Sequence, residues 1–473
     1  MTTATQTLNN VDSTPAALNA ILATANEIWN DDQALKSAQD LEDFEQQVQD
    51  LAAQLQAVLV EKKIQDSLDS EELQDQCAEL IWQLPCKIRN NGYREIYITT
   101  KSGIVVKVTT VYYTSKKKGK GRKKKRNAGL YPGLLLLGVH DRCTPGLISE
   151  IGQTVASLGS FEEARHALAG QGVVLDVKTI SDIAYRMAAR ARALQKSDGA
   201  DYTINLQGRR VVISTDGGRI RVRQNKRGKK TAKGRNRYHG KWREPKVVII
   251  YVTDENGRRD KTFCPFIDGL MQGPDAVFAL IRHYLSNLGI SQAWKVLFVA
   301  DGAQWIWDRV PGLMVSLGLK AGQFYELLDF YRAVEHLSKV ASLRNKLHGK
   351  KQKQWINKQR KLLLAGKVDK VINTIKSFCK GRNSKKIRTQ LNYFIKHRAR
   401  MRYDKMAQQG LPQGSGAIES AVRRVVNLRL KGPATFWKHK NAEAILLLRS
   451  YFKAGRWNLL KNMANSLENF SLA

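Results

Sequence analysis

Three isolated carboxylates, Asp216, Asp301 and Glu419, stand in segments where an acidic side chain is unexpected. Asp216 follows the apolar run 211–213 after two polar residues, and Asp301 directly follows the apolar run 296–300. Continuous apolar runs of this kind predict strands that are buried on both faces. Each Asp is followed by Gly, which leaves backbone room for a ligand at the strand end. Taken singly, each Asp-Gly pair is also typical of a turn.

The third carboxylate, Glu419, lies in the segment GSGAIESAVRRVVNLRLKGPATFW (414–437). The segment predicts a short helix with Ser415 as its N-cap and a stop at Gly432-Pro433. Helical spacing predicts a buried face formed by Ile418, Val422, Val425 and Val426. Glu419 is adjacent to Ile418 in sequence and lies beside this face rather than on it. Four cations share this helix, namely Arg423, Arg424, Arg429 and Lys431. The alternative is an ordinary Glu–Arg pair on a solvated face.

Four motifs in this order carry a resemblance to a known family: STDGG (214–218), VADGAQWIW (299–307), ELLDFYRAVEHL (326–337) and GSGAIESAVRRVVNLRLKG (414–432). Over roughly 130–455 the chain resembles the RNase-H-like DDE transposases of bacterial insertion sequences, closest to the ISKra type. The resemblance implies an α/β catalytic domain with a mixed sheet flanked by helices. It also implies that Asp216, Asp301 and Glu419 are both the catalytic residues and the metal ligands. Many relatives have His three residues after the Asp of the third motif, whereas Asp329 is followed here by Arg332.

The chemistry implied by this family is phosphodiester cleavage at the element's ends followed by transfer of the freed 3′-hydroxyl into target DNA. Two Mg²⁺ ions about 4 Å apart, with Mn²⁺ as a substitute, activate the nucleophile and stabilise the leaving oxygen. Mg²⁺ takes oxygen ligands, so a few carboxylates suffice. In this interpretation Asp216 bridges both ions, Asp301 holds one and Glu419 completes the other.

Two other functions remain open at this point. One is an RNase-H-like nuclease or junction resolvase without strand transfer. The other is a domesticated DNA-binding protein without catalysis, although a binder has no need to keep three acids beside phosphates. The sequence has no GxxxxGK[ST] loop, so it does not support ATP-driven chemistry.

The charge of the chain predicts a polyanionic partner. Its 473 residues carry a formal net charge of +37, which predicts a polyanion such as DNA, RNA or an acidic membrane. The resemblance implies that this partner is double-stranded DNA, namely the element's terminal inverted repeats and the target. No apolar run approaches the ~18 residues of a membrane span, and the N-terminus is not typical of a signal peptide. We therefore expect a cytoplasmic, nucleoid-associated protein. The five cysteines form no CxxC pair, which argues against a disulfide framework or a zinc ribbon.

The N-terminal part divides into two predicted segments. Residues 1–80 hold 16 acidic and 3 basic side chains, and the 3-4 spacing of Leu41, Phe44, Val48, Leu51, Leu55 and Val58 predicts a coiled-coil arm and a homodimer or higher oligomer. An ordinary amphipathic helix is the alternative. Residues 81–145 combine a β-hairpin over 94–114 with the basic tract 116–126, whose expected phosphate contacts are Lys116, Lys117, Lys118, Lys123, Lys124, Lys125 and Arg126.

The segment 146–200 predicts a helix-turn-helix DNA-binding domain. Ser160 and Glu163 form a capping-box pattern before a first helix, and a basic helix follows over about 177–194. Its expected DNA contacts are Lys178, Arg186, Arg190 and Arg192. A plain helical hairpin is the alternative.

The catalytic domain is predicted over 205–338 and 410–455. Its expected strands are 211–223, 246–253, 261–267, 295–300 and 323–330, with a helix from Pro274 to about Leu288 and another over 331–342. The 118 positions between Asp301 and Glu419 exceed what a sheet-to-helix connection needs, so 339–409 is interpreted as an all-helical insertion. Residues 456–473 are assigned as a tail. Three aromatic residues of the insertion are expected to pack its core or to stack on DNA: Trp355, Tyr393 and Phe394.

Overall fold

The computed structural model describes residues 14–84, 88–115, 129–197, 199–202, 204–232, 234–344, 347–381 and 383–466. The chain divides into two compact units, residues 1–194 with 464–473 and residues 195–463. The boundary at 194 falls inside the segment 146–200 that we predicted as one domain. The predicted catalytic domain and its insertion both lie in the second unit.

The first unit contains seven helices and three strands within its described residues, and its last helix extends across the unit boundary. They are α1 (Thr14–Trp29), α2 (Ala38–Asp69), α3 (Glu71–Gln83), β1 (Ile88–Thr99), β2 (Val105–Ser115), β3 (Gly129–Leu130), α4 (Pro132–Leu136), α5 (Pro145–Ser157), α6 (Phe161–Ala169) and α7 (Val177–Lys196).

The predicted β-hairpin is confirmed. Strands β1 and β2 pair antiparallel, and Gly103 takes a φ of +80° in the turn between them, a conformation that a side chain disfavours. The C-terminal half of α2 packs on this hairpin through Leu68 and Ile64. The side chain of Gln65 also exchanges two hydrogen bonds with the backbone of Thr109, at 2.8 and 3.1 Å.

The N-terminal half of α2 presents part of the predicted coiled-coil seam to solvent. Leu41, Phe44 and Val48 are 48%, 40% and 42% exposed. Apolar side chains in a row on an exposed helix face are what a self-pairing helix requires. The pairing itself stays a prediction.

The helices α5, α6 and α7 agree with the predicted helical segment, but one local detail differs. The Ser160 hydroxyl accepts a hydrogen bond from the Glu163 N–H at 3.0 Å, as an N-cap does. The Glu163 carboxylate accepts from the N–H of Gly159 rather than from that of Ser160. The reciprocal bond of a capping box is therefore displaced by one residue.

The second unit is organised around a five-stranded mixed sheet with the order β10-β9-β4-β7-β8. These strands are β4 (Arg210–Gly217), β7 (Lys246–Thr253), β8 (Phe266–Leu270), β9 (Lys295–Ala300) and β10 (Phe324–Leu328). Strands β4, β7 and β8 form an antiparallel meander. Strand β9 returns parallel to β4, and β10 continues parallel to β9.

Helices flank this sheet. They include α8 (Pro274–Asn287), α11 (Phe330–Ser342), α16 (Gly416–Val422) and α17 (His439–Ala454), with short helices at α9 (Gln304–Trp307) and α10 (Val310–Ser316). Every residue of β7 is buried, as expected of a continuous apolar run inside a layered sheet. This part of the chain is therefore an α/β domain.

The structure differs from the predicted strands of this domain in three places. The predicted strand 211–223 is divided at Gly218-Arg219 into β4 and β5 (Ile220–Asn225), and Val426 packs where a side chain at Gly218 would lie. The basic segment after it, which we predicted as a loop, contains β6 (Tyr238–Arg243), and β6 pairs antiparallel with β5. The predicted strand 261–267 begins only at Phe266.

The predicted insertion is helical, as expected. It contains α12 (Gly349–Leu364), α13 (Val368–Ser377), α14 (Ser384–Lys396) and α15 (Tyr403–Gln408). Phe394 is fully buried, and Trp355 packs on Phe378 with ring centroids 5.7 Å apart. An ion pair between Arg400 and Glu326 of β10 attaches the insertion to the sheet.

Part of the predicted tail is ordered, since α18 (Trp457–Asn465) lies within 456–473. Among the described residues, no helix is long and apolar enough to cross a membrane.

Candidate functional site

Asp216 and Asp301 lie at the ends of neighbouring parallel strands. Strands β4 and β9 pair in parallel up to Ile213 and Phe298, and each acid lies three residues beyond that last pair. The ends of adjacent parallel strands lie at the same edge of a sheet. Two acids 85 positions apart in the sequence are therefore carried to one edge of the sheet.

The backbone after each strand turns around the carboxylate. The N–H of Gly217 donates to Oδ1 of Asp216 at 2.7 Å, and the N–H of Ala303 donates to Oδ1 of Asp301 at 2.9 Å. The indole N–H of Trp307 donates to the carbonyl of Asp301 at 2.7 Å. These bonds hold both acids at fixed positions, and both side chains are partly buried.

Glu419 is carried by α16, which packs on β4 and β7. Its side chain is exposed, and within the described residues it forms no ion pair. The alternative of a surface Glu–Arg pair is therefore not observed. The predicted cap differs, because the Ser415 side chain makes no capping hydrogen bond.

The three carboxylates influence one another. Burial raises the pKa of Asp216 above its ordinary value, and the negative charges of Asp301 and Glu419 raise it further. The hydrogen bond from Gly217 and the charge of Arg332 act in the opposite direction. Asp216 therefore lies within electrostatic reach of both other acids.

The spacing and the type of the acidic side chains both bear on metal binding. Within the described parts of the chain, no three His, Cys, Asp or Glu side chains are grouped closely enough to hold one metal ion. Three unneutralised carboxylates repel one another, which favours separated side chains. The donor set of carboxylate oxygens nevertheless fits Mg²⁺, which prefers oxygen ligands and keeps several waters.

Asp329 joins the third motif to the Glu419 helix. It is completely buried and accepts two backbone hydrogen bonds, from Ser415 at 2.9 Å and from Arg332 at 3.1 Å. The first bond holds the residue that precedes α16, and the second caps α11. A single buried carboxylate therefore fixes the helix that carries Glu419 relative to the helix after β10.

Arg332 lies within electrostatic reach of Asp216 and Asp301. Burial alone would lower its pKa, but the hydrogen bonds and charge of Glu335 and the charges of Asp216 and Asp301 together raise it. Its guanidinium contacts Glu335 at 3.0 Å. Arg332 therefore remains a cation beside Asp216 and Asp301.

The helical insertion reaches the same loop through Tyr393. A side chain at Gly302 would overlap the Tyr393 ring, and that ring stacks on His336 with centroids 3.6 Å apart. The Tyr393 hydroxyl is buried and has no hydrogen-bond partner among the described residues. Burial raises the pKa of Tyr393, and the charges of Asp301 and Asp329 add to that effect. The hydroxyl is therefore held protonated, as a potential donor.

The predicted DNA contacts of α7 occupy mixed environments. Lys178 and Arg186 are exposed, but each is in an ion pair, with Asp182 and Asp141 respectively. Arg190 donates to the carbonyl of Ala464, and burial lowers its pKa to about 10. Arg192 is only 9% exposed. Two of the four predicted contacts thus lie mainly inside the protein, because this helix is amphipathic and they fall near its buried face.

The four cations that follow Glu419 also differ in their exposure to solvent. Arg423 and Lys431 are exposed. Arg429 is 8% exposed and lies over the Trp437 ring, and Arg424 is half-buried. The predicted contacts Lys116, Lys117, Lys118, Lys123, Lys124, Lys125 and Arg126 lie outside the described residues.

Sequence reasoning did not place three residues at this site: Asp329, Tyr393 and Glu244. Glu244 lies directly against Gly217, the neighbour of Asp216, and no local pattern pointed to it. Asp329 was noted only as part of a motif, and the spacing gave no sign that its carboxylate is buried. Tyr393 was predicted only as a core or DNA-stacking residue of the insertion, because its contact with the loop after Asp301 joins segments that are remote in the sequence.

Comparison with known proteins adds no family assignment, since no family model, curated protein or solved structure matches this chain.

Proposed function

We propose that this protein is a DNA transposase of the RNase-H-like DDE kind, which cleaves the ends of its element and joins the freed 3′-hydroxyl to target DNA. One observation carries the proposal. Asp216 and Asp301 stand at the ends of the adjacent parallel strands β4 and β9, and α16 with Glu419 packs on β4.

The sheet supports the RNase-H-like part of the proposal. Three strands, a helix and further strands are the order expected from the sequence. The sheet has this order, as the antiparallel meander β4-β7-β8 followed by β9 and β10 in parallel to β4. Asp216 lies near the end of β4, and Asp301 directly follows β9. The all-helical insertion lies between β10 and α16.

Each residue of the proposed site has its own role in catalysis. Asp216, Asp301 and Glu419 would hold two Mg²⁺ ions, which supply activation of the oxygen nucleophile and neutralisation of charge at phosphorus. Asp329 positions the Glu419 helix through the Ser415 backbone. Arg332 brings positive charge beside Asp216 and Asp301, which suits a site that receives a phosphodiester.

The partner expected from the charge is DNA. A formal net charge of +37 favours association with a nucleic acid and makes it sensitive to salt. A cytoplasmic, nucleoid-associated protein acting as a homodimer or higher oligomer is part of the same proposal.

The test compares Asp301→Asn with the matched control Asp308→Asn, an exposed acid seven residues further on. The substrate is labelled DNA containing both genomic flanks of the gene, with a supercoiled plasmid as target. We expect cleavage and joining to require Mg²⁺ or Mn²⁺. Both should fall more than about 100-fold in Asp301→Asn, beyond the usual cost of losing a residue that only supports a metal ligand. The control should retain both.

Equal activity of Asp301→Asn and the control would refute the proposed site. Cleavage without joining, lost in Asp301→Asn, would instead identify a nuclease or resolvase.

A further inference from the structure

The hairpin formed by β5 and β6 carries an unusual concentration of positive charge. Residues 219–243 contain twelve Lys and Arg and no Asp or Glu, and the segment begins three positions after Asp216. Within its described residues none of these cations is in an ion pair, and all except the half-buried Arg221 are exposed. Such uncompensated charge is costly to the folded protein unless an anionic partner binds it.

The base of the hairpin is fixed close to the carboxylates. Ile220 and Val222 are buried. The N–H of Arg223 donates to the Trp437 carbonyl at 2.7 Å, and the N–H of Trp437 donates to the Arg221 carbonyl at 3.0 Å. The guanidinium of Arg221 also donates to the carbonyl of Gly432 at 2.8 Å. The hairpin thus begins a few residues after Asp216 in the chain, and hydrogen bonds join one of its edges to the segment that follows the Glu419 helix.

One face of the hairpin alternates guanidinium groups with aromatic rings. Arg221 lies 4.5 Å from the centroid of Phe436, and Arg223 lies 4.7 Å from that of Tyr238. Tyr238 and Trp242 are 40% and 49% exposed. Rings and guanidinium planes of this kind stack on nucleic-acid bases and sugars.

The described residues near the tip of the hairpin form a concave surface. The N–H of Lys226 donates to the Arg237 carbonyl, and the N–H of Thr231 donates to the Arg235 carbonyl, both at 2.8 Å. Two adjoining cavities of about 460 and 570 Å³ open here. They share four lining residues, namely Arg223, Arg235, Asn236 and Tyr238.

We propose that this hairpin binds the sugar–phosphate backbone of duplex DNA next to the cleavage site, an inference that rests on the proposed function. A two-stranded ribbon fits the major groove, which is about 12 Å wide. Its cations neutralise phosphates on either side, and its planar groups contact sugars and bases where the duplex opens. The acidic segment 1–80 is a rival occupant on charge alone, but carboxylates make no use of the exposed rings.

The experiment measures binding without cleavage. Fluorescence anisotropy with a labelled 30-bp duplex, in EDTA and over a series of salt concentrations, compares the full-length protein with Arg223→Ala/Arg235→Ala/Arg237→Ala. The matched control, Lys350→Ala/Lys351→Ala/Lys353→Ala, removes the same charge from exposed positions of α12. Circular dichroism and thermal unfolding verify that both variants fold.

We expect the hairpin variant to lower the slope of log affinity against log salt by about 2 to 3, from roughly 0.9 per lost phosphate contact. Its affinity should fall at least tenfold further than that of the control. Crosslinking of a bromodeoxyuridine-substituted duplex should occur at Trp242 or Tyr238 and disappear in Trp242→Ala/Tyr238→Ala.

Equal losses in the hairpin variant and the control would overturn the proposal. So would tighter binding of a peptide of residues 38–69 than of the duplex, which would assign the hairpin to the acidic segment. Hairpin-dependent binding by a protein that cleaves no DNA would refute the proposed function and support this inference. Cleavage of DNA that persists after the hairpin cations are removed would support the proposed function and refute this inference.

Discussion

The substitution Asp329→Asn tests whether one buried carboxylate positions the Glu419 helix. Asp329 is completely buried and accepts backbone hydrogen bonds from Ser415 and Arg332 at 2.9 and 3.1 Å. Asn has nearly the same shape, but only its oxygen can accept, so its amide nitrogen faces one of the two N–H donors. The loss of one hydrogen bond to a charged acceptor costs about 1.5–3 kcal/mol.

We therefore expect Asp329→Asn to lower the free energy of unfolding by about 2 kcal/mol, measured by urea denaturation. The second expectation concerns catalysis. A displacement of about 1 Å in a group that positions the reaction can cost about 100-fold in rate, so kcat for DNA cleavage should fall much more than the affinity for DNA.

The matched control is Asp275→Asn in the first turn of α8, whose side chain is 89% exposed in its ion pair with Arg309. It should cost less than about 1 kcal/mol and leave cleavage unchanged. If Asp329→Asn unfolds like the control and cleaves at the wild-type rate, the positioning role is refuted. A loss of stability with an unchanged kcat would show that Asp329 is only structural.

Three further predictions follow from the same geometry. Folding raises the pKa of Asp216, so the folded protein holds that proton more tightly, and stability falls as the pH rises above the ordinary Asp pKa of about 4; Asp216→Asn in EDTA should then melt higher than wild type at pH 7, with the difference vanishing near pH 3, and a lower melting point at pH 7 would contradict this. Gly302→Ala should lower stability by about 1–3 kcal/mol through overlap with the Tyr393 ring, and Tyr393→Leu in the same chain should restore part of it; a strictly additive double variant would exclude the contact as the cause. Replacing the exposed seam residues Leu41, Phe44 and Val48 of α2 by Ser should lower the molecular mass measured by light scattering without lowering the melting point. An unchanged mass would show that these residues form an ordinary surface rather than an oligomer interface.

Much of the architecture could be read from local patterns. The apolar runs before Asp216 and Asp301 predicted β4 and β9, because a strand buried on both faces needs apolar residues at every position. Gly103 marked the β1–β2 turn for a similarly local reason. The helical insertion was predicted from the 118 positions between Asp301 and Glu419 and from the cationic, helix-favouring sequence that fills them.

Other features depended on contacts between distant segments. Gly218 has no room for a side chain because Val426, more than 200 positions later, packs against it. The first residues of β5 were predicted as part of one long strand, and the segment that contains β6 was predicted as a basic loop. The β5–β6 hairpin is ordered partly because Trp437 pairs with β5.

The sequence by itself therefore determined the candidate acids, the order of the strands and the excess of positive charge, since residue type and spacing encode all three. Only the tertiary structure decided that β4 and β9 lie side by side in parallel, which carries Asp216 and Asp301 to the same edge of the sheet. The same holds for the buried Asp329 that fixes the Glu419 helix and for the burial of Arg192 and Arg429. The physical reason is that strand register, burial and hydrogen-bond partners are set by packing between segments that are remote in the chain, and no local pattern records that packing.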